Sequence, residues 1–203
     1  MKFYLNTIKN IQQTLLTMGV VILLILPSLI VFKPELVTHG IYDAFFLVSH
    51  VTLLLVMVVR PLADIFTKVR FIRPLVILRK GLGVVSASII VALLLARIMV
   101  DPVGFGQEVV TLEYWSLLDL SFLAHVADIA AVILLVTSNN LSKKLLGWAW
   151  KKIQKLAYVY FYFSALYVYL VFGDQKMLVF VVIVTLLTFV AFLRNRLRDQ
   201  VIS

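Results

Sequence analysis

The residues best suited to chemistry are five ionisable side chains that lie inside long apolar stretches: His50, Arg97, Asp119, His125 and Asp128. Such groups are costly in a membrane and usually face the interior of a helix bundle. At ~1.5 Å per residue, His50 and His125 each lie ~13–15 Å from the outer end of their stretch, near the bilayer midplane. Equal depth on two helices is what a bis-histidine haem site requires.

Asp128 follows His125 by three residues, so we expect both on one helix face, with Asp128 one turn deeper. Three interpretations remain open for this cluster. His50 and His125 could ligate a haem, or the cluster could carry protons or bind a small ligand. Alternatively, His50 or a tyrosine could satisfy Asp128 through interhelical hydrogen bonds, which contribute about 0.6–2 kcal/mol each. Nearer the outer surface, we predict an ion pair between Arg97 and Asp119.

The stretch from Tyr158 to Phe172 is rich in Tyr and Phe, and it includes Tyr167. Aromatic side chains at this density could line a site for a quinone or a porphyrin. The same density also serves helix packing and the aromatic belts at membrane interfaces. Tyr167 is therefore a candidate binding residue, with packing as the alternative.

The elements that position these residues follow from composition. Hydrophobic residues make up 63% of the chain and charged residues 14%, and the mean hydropathy is +1.05. Soluble domains are typically about half apolar and a quarter charged. The sequence therefore predicts an all-α integral membrane protein with one domain over residues 1–203. Six apolar stretches near the length that crosses a bilayer predict the spans: about 14–32, 41–59, 81–100, 115–135, 156–172 and 177–193.

Basic residues alternate across these spans, and 16 of the 19 Lys and Arg residues fall on the side that holds both termini. The excess of Lys and Arg in cytoplasmic loops predicts that both termini are cytoplasmic, and we expect a bacterial inner membrane. Segments 61–80 and 141–155 mix apolar and basic residues, which predicts short interfacial helices on anionic lipid. Charge placed in short loops favours membrane lipid over a nucleic-acid partner. The absence of cysteine excludes thiolate catalysis and Fe–S ligation.

A family resemblance rests on the connections at the basic side. Its pieces are, in chain order, RPLADI from Arg60, RKGLG from Arg79, Thr137-Ser138, and WKKIQ from Trp150 followed by Tyr158. In this order and spacing, residues 50 to 196 resemble the ferric-reductase-like transmembrane domain family, above all the haem-binding membrane subunit of bacterial methionine sulfoxide reductase systems. The resemblance implies a six-span b-type cytochrome that exchanges electrons with partner proteins.

The resemblance also places the family's haem histidines, which fall here on Leu93, Gln154 and Tyr167. None of the three is a histidine, although tyrosinate is a known axial ligand of haem. We therefore expect a membrane subunit of the electron-transfer type that is degenerate in haem ligation, with haem b as a candidate cofactor at His50 and His125. The rival function is non-redox: a channel, transporter or assembly subunit that uses the His/Asp cluster. Whether the protein is an enzyme stays open.

Overall fold

The computed structural model describes residues 2–202, and within that range the chain is entirely helical apart from its turns. The helices are α1 (Lys2–Phe32), α2 (His39–Ile65), α3 (Ile72–Leu75), α4 (Leu78–Val100), α5 (Pro102–Val110), α6 (Ser121–Thr137), α7 (Asn140–Leu146), α8 (Trp148–Ile153), α9 (Leu156–Phe172) and α10 (Gln175–Ile202). A short 3-10 turn, Pro34–Leu36, joins α1 to α2.

The predicted class is confirmed at a coarse level, because five helices within residues 2–202 are long and apolar enough to cross a membrane. The number rises to six if α6 and α7, which are bent by 96° at a short break, form one broken span. Helix α6 alone has 17 residues. At ~1.5 Å per residue it reaches slightly less than the ~30 Å hydrocarbon core of a bilayer.

Helix α6 begins at Ser121, whereas the sequence predicted a span from residue 115. The preceding residues form turns because their side chains bind nearby backbone amides. Tyr114 N–H donates to Thr111 Oγ1 (3.3 Å), and Ser121 N–H donates to Asp119 Oδ1 (2.9 Å). Such local bonds compete with helix formation. His125 consequently lies about one turn into α6, not ten residues into a span, so the predicted equal depth with His50 loses its basis.

Five helices form a ring in the order α4, α2, α10, α9 and α6, and α6 packs on α4 again. Helix α1 lies outside this ring and packs along α4. Two glycines permit that contact. A Cβ at Gly19 would lie 2.7 Å from Val84 Cγ1, and one at Gly81 would lie 2.8 Å from Leu15 Cβ. Small residues commonly allow membrane helices to approach this closely.

One end of the ring carries most of the Lys and Arg residues and is called here the basic end. Arg79 Nε donates to the Val56 carbonyl (2.9 Å), and Trp150 Nε1 donates to the Thr137 carbonyl (2.9 Å). Segment 141–155 forms α7 and α8, which agrees with the prediction of short helices. Segment 61–80 does not form one helix; it is divided among the end of α2, the short α3 and the start of α4.

The half of the ring near the basic end is tightly packed. Its core combines large side chains with small ones, so that adjacent helices interlock. The central members of this core are Leu53, Val56, Met57, Ala87, Val91, Ala130, Ala131, Leu134, Phe161 and Val184. The opposite end of the ring, called here the acidic end, is open.

Candidate functional site

A cavity of about 1300 Å³ opens at the acidic end of the ring. It is called the chamber below. Its walls come from all five ring helices and from the connection between α5 and α6. The four candidate residues from the sequence, His50, His125, Asp128 and Tyr167, all line it.

His50 lies on α2 and is only 4% exposed. Its Nδ1 is 2.8 Å from the Phe46 carbonyl oxygen. Because a carbonyl oxygen can only accept, Nδ1 donates and Nε2 of the neutral ring is left as an acceptor. That Nε2 is buried and has no hydrogen-bond partner within residues 2–202. An unsatisfied buried acceptor costs about 1–3 kcal/mol, so its persistence calls for a partner from outside the chain.

His125 on α6 has the same arrangement. Its Nδ1 donates to the Tyr114 carbonyl oxygen (3.0 Å), and its ring stacks on the Tyr114 ring at 3.6 Å with an interplanar angle of 8°. Within the described part of the chain, Nε2 of His125 forms no hydrogen bond. Both histidines therefore present Nε2 as an acceptor and use Nδ1 to fix the orientation of the ring.

Asp128 lines the chamber near its floor and is half-buried. No hydrogen bond or ion pair reaches its carboxylate from any residue that the structure describes. The expected hydrogen bonds from His50 or a span-five tyrosine are therefore not formed. Its electrostatic interaction with Arg97 is attractive. The acid nearest the chamber floor thus lacks a close partner.

The predicted ion pair between Arg97 and Asp119 is wrong. The Arg97 guanidinium binds Glu108 on α5 and lies 5.5 Å from the centre of the Phe105 ring. Helix α5 was not foreseen, and it brings Glu108 closer to Arg97 than Asp119. Asp119 is exposed and accepts the Ser121 N–H, and this hydrogen bond holds the pKa of Asp119 below its usual value.

A buried polar cluster beside the chamber was not predicted from the sequence, and one of its members, Tyr160, lines the chamber. Ser49 on α2, Ser86 on α4 and Tyr160 on α9 are all buried. The Tyr160 hydroxyl lies 3.0 Å from Ser86 Oγ and 3.2 Å from Ser49 Oγ, and the two serine oxygens are 3.1 Å apart. The cluster ties three ring helices together. The only signal in the sequence was a serine in each of two apolar spans.

The three positions at which the family resemblance expects histidine are divided between the two ends. Leu93 and Tyr167 line the chamber. Gln154 lies at the basic end, and its Nε2 donates to Thr137 Oγ1 (3.4 Å). The chamber thus includes two of the three positions, together with two histidines located elsewhere in the sequence.

The chamber mouth carries more carboxylates than cations, although the chain has a formal net charge of +9. Arg97 and Lys176 are its basic residues, and Arg97 is already paired with Glu108. The acidic residues around the mouth are Asp43, Glu108, Glu113, Asp119 and Asp174. That these acids surround one opening was not predicted from the sequence.

Comparison with known proteins gives no relatives: no family model, no curated protein and no solved structure matches this chain. The ferric-reductase-like resemblance therefore stays a prediction. Within the described range, no group of three or more His, Asp or Glu side chains is placed to hold a metal ion.

Proposed function

We propose that this chain is a six-span membrane protein, with both termini in the cytoplasm, that binds a small ligand in a chamber open to the outside. The orientation rests on the distribution of Lys and Arg, which places the basic end in the cytoplasm. The observation that carries the binding function is the partnerless Nε2 of His50 beside the chamber. A ligand that donates a hydrogen bond there would remove the cost of burying that nitrogen.

The closed half of the ring determines from which end such a ligand could enter the chamber. Among the described residues, a buried core fills the ring near the basic end, and the chamber opens at the acidic end. An outward-open chamber with a closed floor suits a receptor, a transporter in its outward-facing state, or an assembly subunit of a larger inner-membrane complex.

A second candidate is a haem-bearing electron-transfer subunit, as the family resemblance implies. Leu93 and Gln154 cannot take the place of haem histidines. His50 and His125 have suitable chemistry, because each donates Nδ1–H to a backbone carbonyl and keeps Nε2 as the donor atom for a metal, a common arrangement of ligating histidines. The late start of α6 removes the basis for their equal depth, which counts against a haem held between them. A haem held there would supply one-electron transfer, and the chain would exchange electrons through partners on both faces.

The visible spectrum decides between the two candidates. Purified after expression with abundant haem, a haem-bearing protein would show a reducible b-type spectrum at about one haem per chain, and His50→Ala and His125→Ala would each abolish it. The ligand-chamber proposal predicts no stoichiometric haem. A spectrum that survived both substitutions would exclude these histidines as the ligands.

The chamber proposal is tested by cysteine accessibility, since the chain has no cysteine of its own. Leu93→Cys places a thiol in the chamber wall, and Ala131→Cys places one in the closed core. In intact cells, trimethylammonioethyl methanethiosulfonate, which does not cross the membrane, should modify the Leu93→Cys protein and leave the Ala131→Cys protein unmodified. An unreactive thiol at position 93, or equal reactivity of both proteins, would contradict an outward-open chamber.

A further inference from the structure

We propose that the ligand of the chamber is a small organic cation, an ammonium with an apolar body. This inference rests on the proposed function, because it names the chemical class of the ligand that the chamber binds. It follows from the partnerless groups in the chamber, the charges at its mouth and the nature of its walls.

Three chamber groups that lack a hydrogen-bond partner among the described residues are acceptors. His50 offers the lone pair of Nε2, His125 offers the same atom, and Asp128 offers a carboxylate without a hydrogen bond from any described residue. A ligand that satisfies them must donate hydrogen bonds. A protonated amine has up to three N–H donors and a positive charge, so it can pair with Asp128 and donate to a histidine nitrogen. A carboxylate or phosphate ligand would add acceptors where acceptors are already in excess.

The charges at the mouth also favour a cationic ligand. Five carboxylates surround the opening, while Lys176 is the basic residue there that has no ion pair among the described side chains. Clefts lined by one sign of charge focus the field and raise the local concentration of ions of opposite sign. Cations are therefore concentrated at the opening, and anions are repelled.

The walls indicate an apolar body for the ligand. The chamber lining also includes apolar side chains, among them Phe46, Leu93, Val168 and Phe172. Aromatic faces attract cations, and aliphatic side chains bury the apolar part of an amphipathic molecule. A bare metal ion suits the chamber poorly, because the described residues offer no set of three His, Asp or Glu ligands.

The experiment measures protection of the Leu93→Cys thiol from methyl methanethiosulfonate, a small uncharged reagent, in the purified protein. Three probes of similar size are compared: benzylammonium, benzyl alcohol and benzoate. Benzylammonium should slow modification in a saturable manner, whereas benzyl alcohol and benzoate should have little effect at the same concentrations. Equal protection by all three probes would mean that the chamber binds small molecules without selectivity for cations. That result would overturn the inference but not the proposed function.

Two variants in the Leu93→Cys background test whether the protection by benzylammonium depends on Asp128. Asp128→Asn keeps the size of the side chain and removes its charge, and it should raise the benzylammonium concentration for half-protection about tenfold, equivalent to ~1.4 kcal/mol. Asp64→Asn is the matched control, because Asp64 lies at the basic end of α2 beside Arg60. Equal half-protection in the two variants, or no protection by benzylammonium in either, would overturn the inference. The comparison of the three probes needs no Asp128 variant, so it stands if Asp128→Asn folds poorly.

Discussion

The two halves of the ring are built from the same five helices, yet one is closed and the other encloses the chamber. In the closed half, alanines on α4 and α6 let large side chains such as Phe161 fill the interior. In the open half, the first residue of α6 is Ser121 and the first residue of α2 is His39. Helix α2 extends farther toward the acidic end than α6, so the two walls differ in length. The chamber thus arises where one helix is short and its place is taken by turns.

The largest expected effect of a substitution lies in the closed half. Phe161 is 1% exposed and belongs to the central core. Phe161→Ala should lower the free energy of unfolding by about 3–5 kcal/mol, because it leaves a cavity among closely packed helices. Thermal or denaturant unfolding in detergent measures the loss. Leu118→Ala is the control, since Leu118 is 98% exposed and its truncation should change stability by less than about 0.5 kcal/mol. Equal effects of the two substitutions would contradict the closed core.

A smaller effect is expected at the boundary between the halves. Tyr160→Phe removes the hydroxyl that binds Ser49 and Ser86 and leaves the ring in place. Because the two serines still bind each other, the expected loss of stability is about 1 kcal/mol. The same unfolding measurement should detect this loss of stability in the Tyr160→Phe protein, with the Tyr169→Phe protein as the comparison. A Tyr160→Phe protein as stable as the parent would mean that the cluster does not hold the three helices together.

The smallest effect is expected inside the chamber. Because the Asp128 carboxylate has no hydrogen bond from the described residues, Asp128→Asn should change the stability of the ligand-free protein by less than about 0.5 kcal/mol. The interhelical-bond interpretation predicts a larger loss for Asp128→Leu, since a buried donor would then be stranded. Unfolding of both variants without added ligand separates the two interpretations. A loss above 1 kcal/mol in the Asp128→Leu protein alone would restore a structural role for this acid.

Much of the fold could be predicted from the sequence, because apolar stretches near 20 residues long have few alternatives to membrane helices. The start of α6 could not, since Thr111 and Asp119 form local hydrogen bonds that hydropathy does not detect. The predicted partner of Arg97, Asp119, was wrong for a similar reason. Helix α5 begins where the Asp101 side chain accepts the Gly104 N–H, and only this helix brings Glu108 to Arg97.

The candidate site was predictable in part. Ionisable residues in apolar spans face the bundle interior, so His50, His125, Asp128 and Tyr167 were expected near one another, and all four line the chamber. Their hydrogen bonds could not be foreseen. The partner of His125 is the carbonyl of Tyr114, which depends on the path of the turns between α5 and α6. The acidic mouth depends on the same turns.

The position of α10 in the ring has a consequence for how the protein is made. This helix packs on both α2 and α9 and closes the ring, although it is the last helix in the sequence. Helices emerge from the ribosome in chain order. Until α10 is inserted, the gap between α2 and α9 faces lipid, and the part of the chamber wall that Lys176 and Met177 supply is missing. The chamber is therefore completed only after α10 has been synthesised, and chains released before that point would lack it.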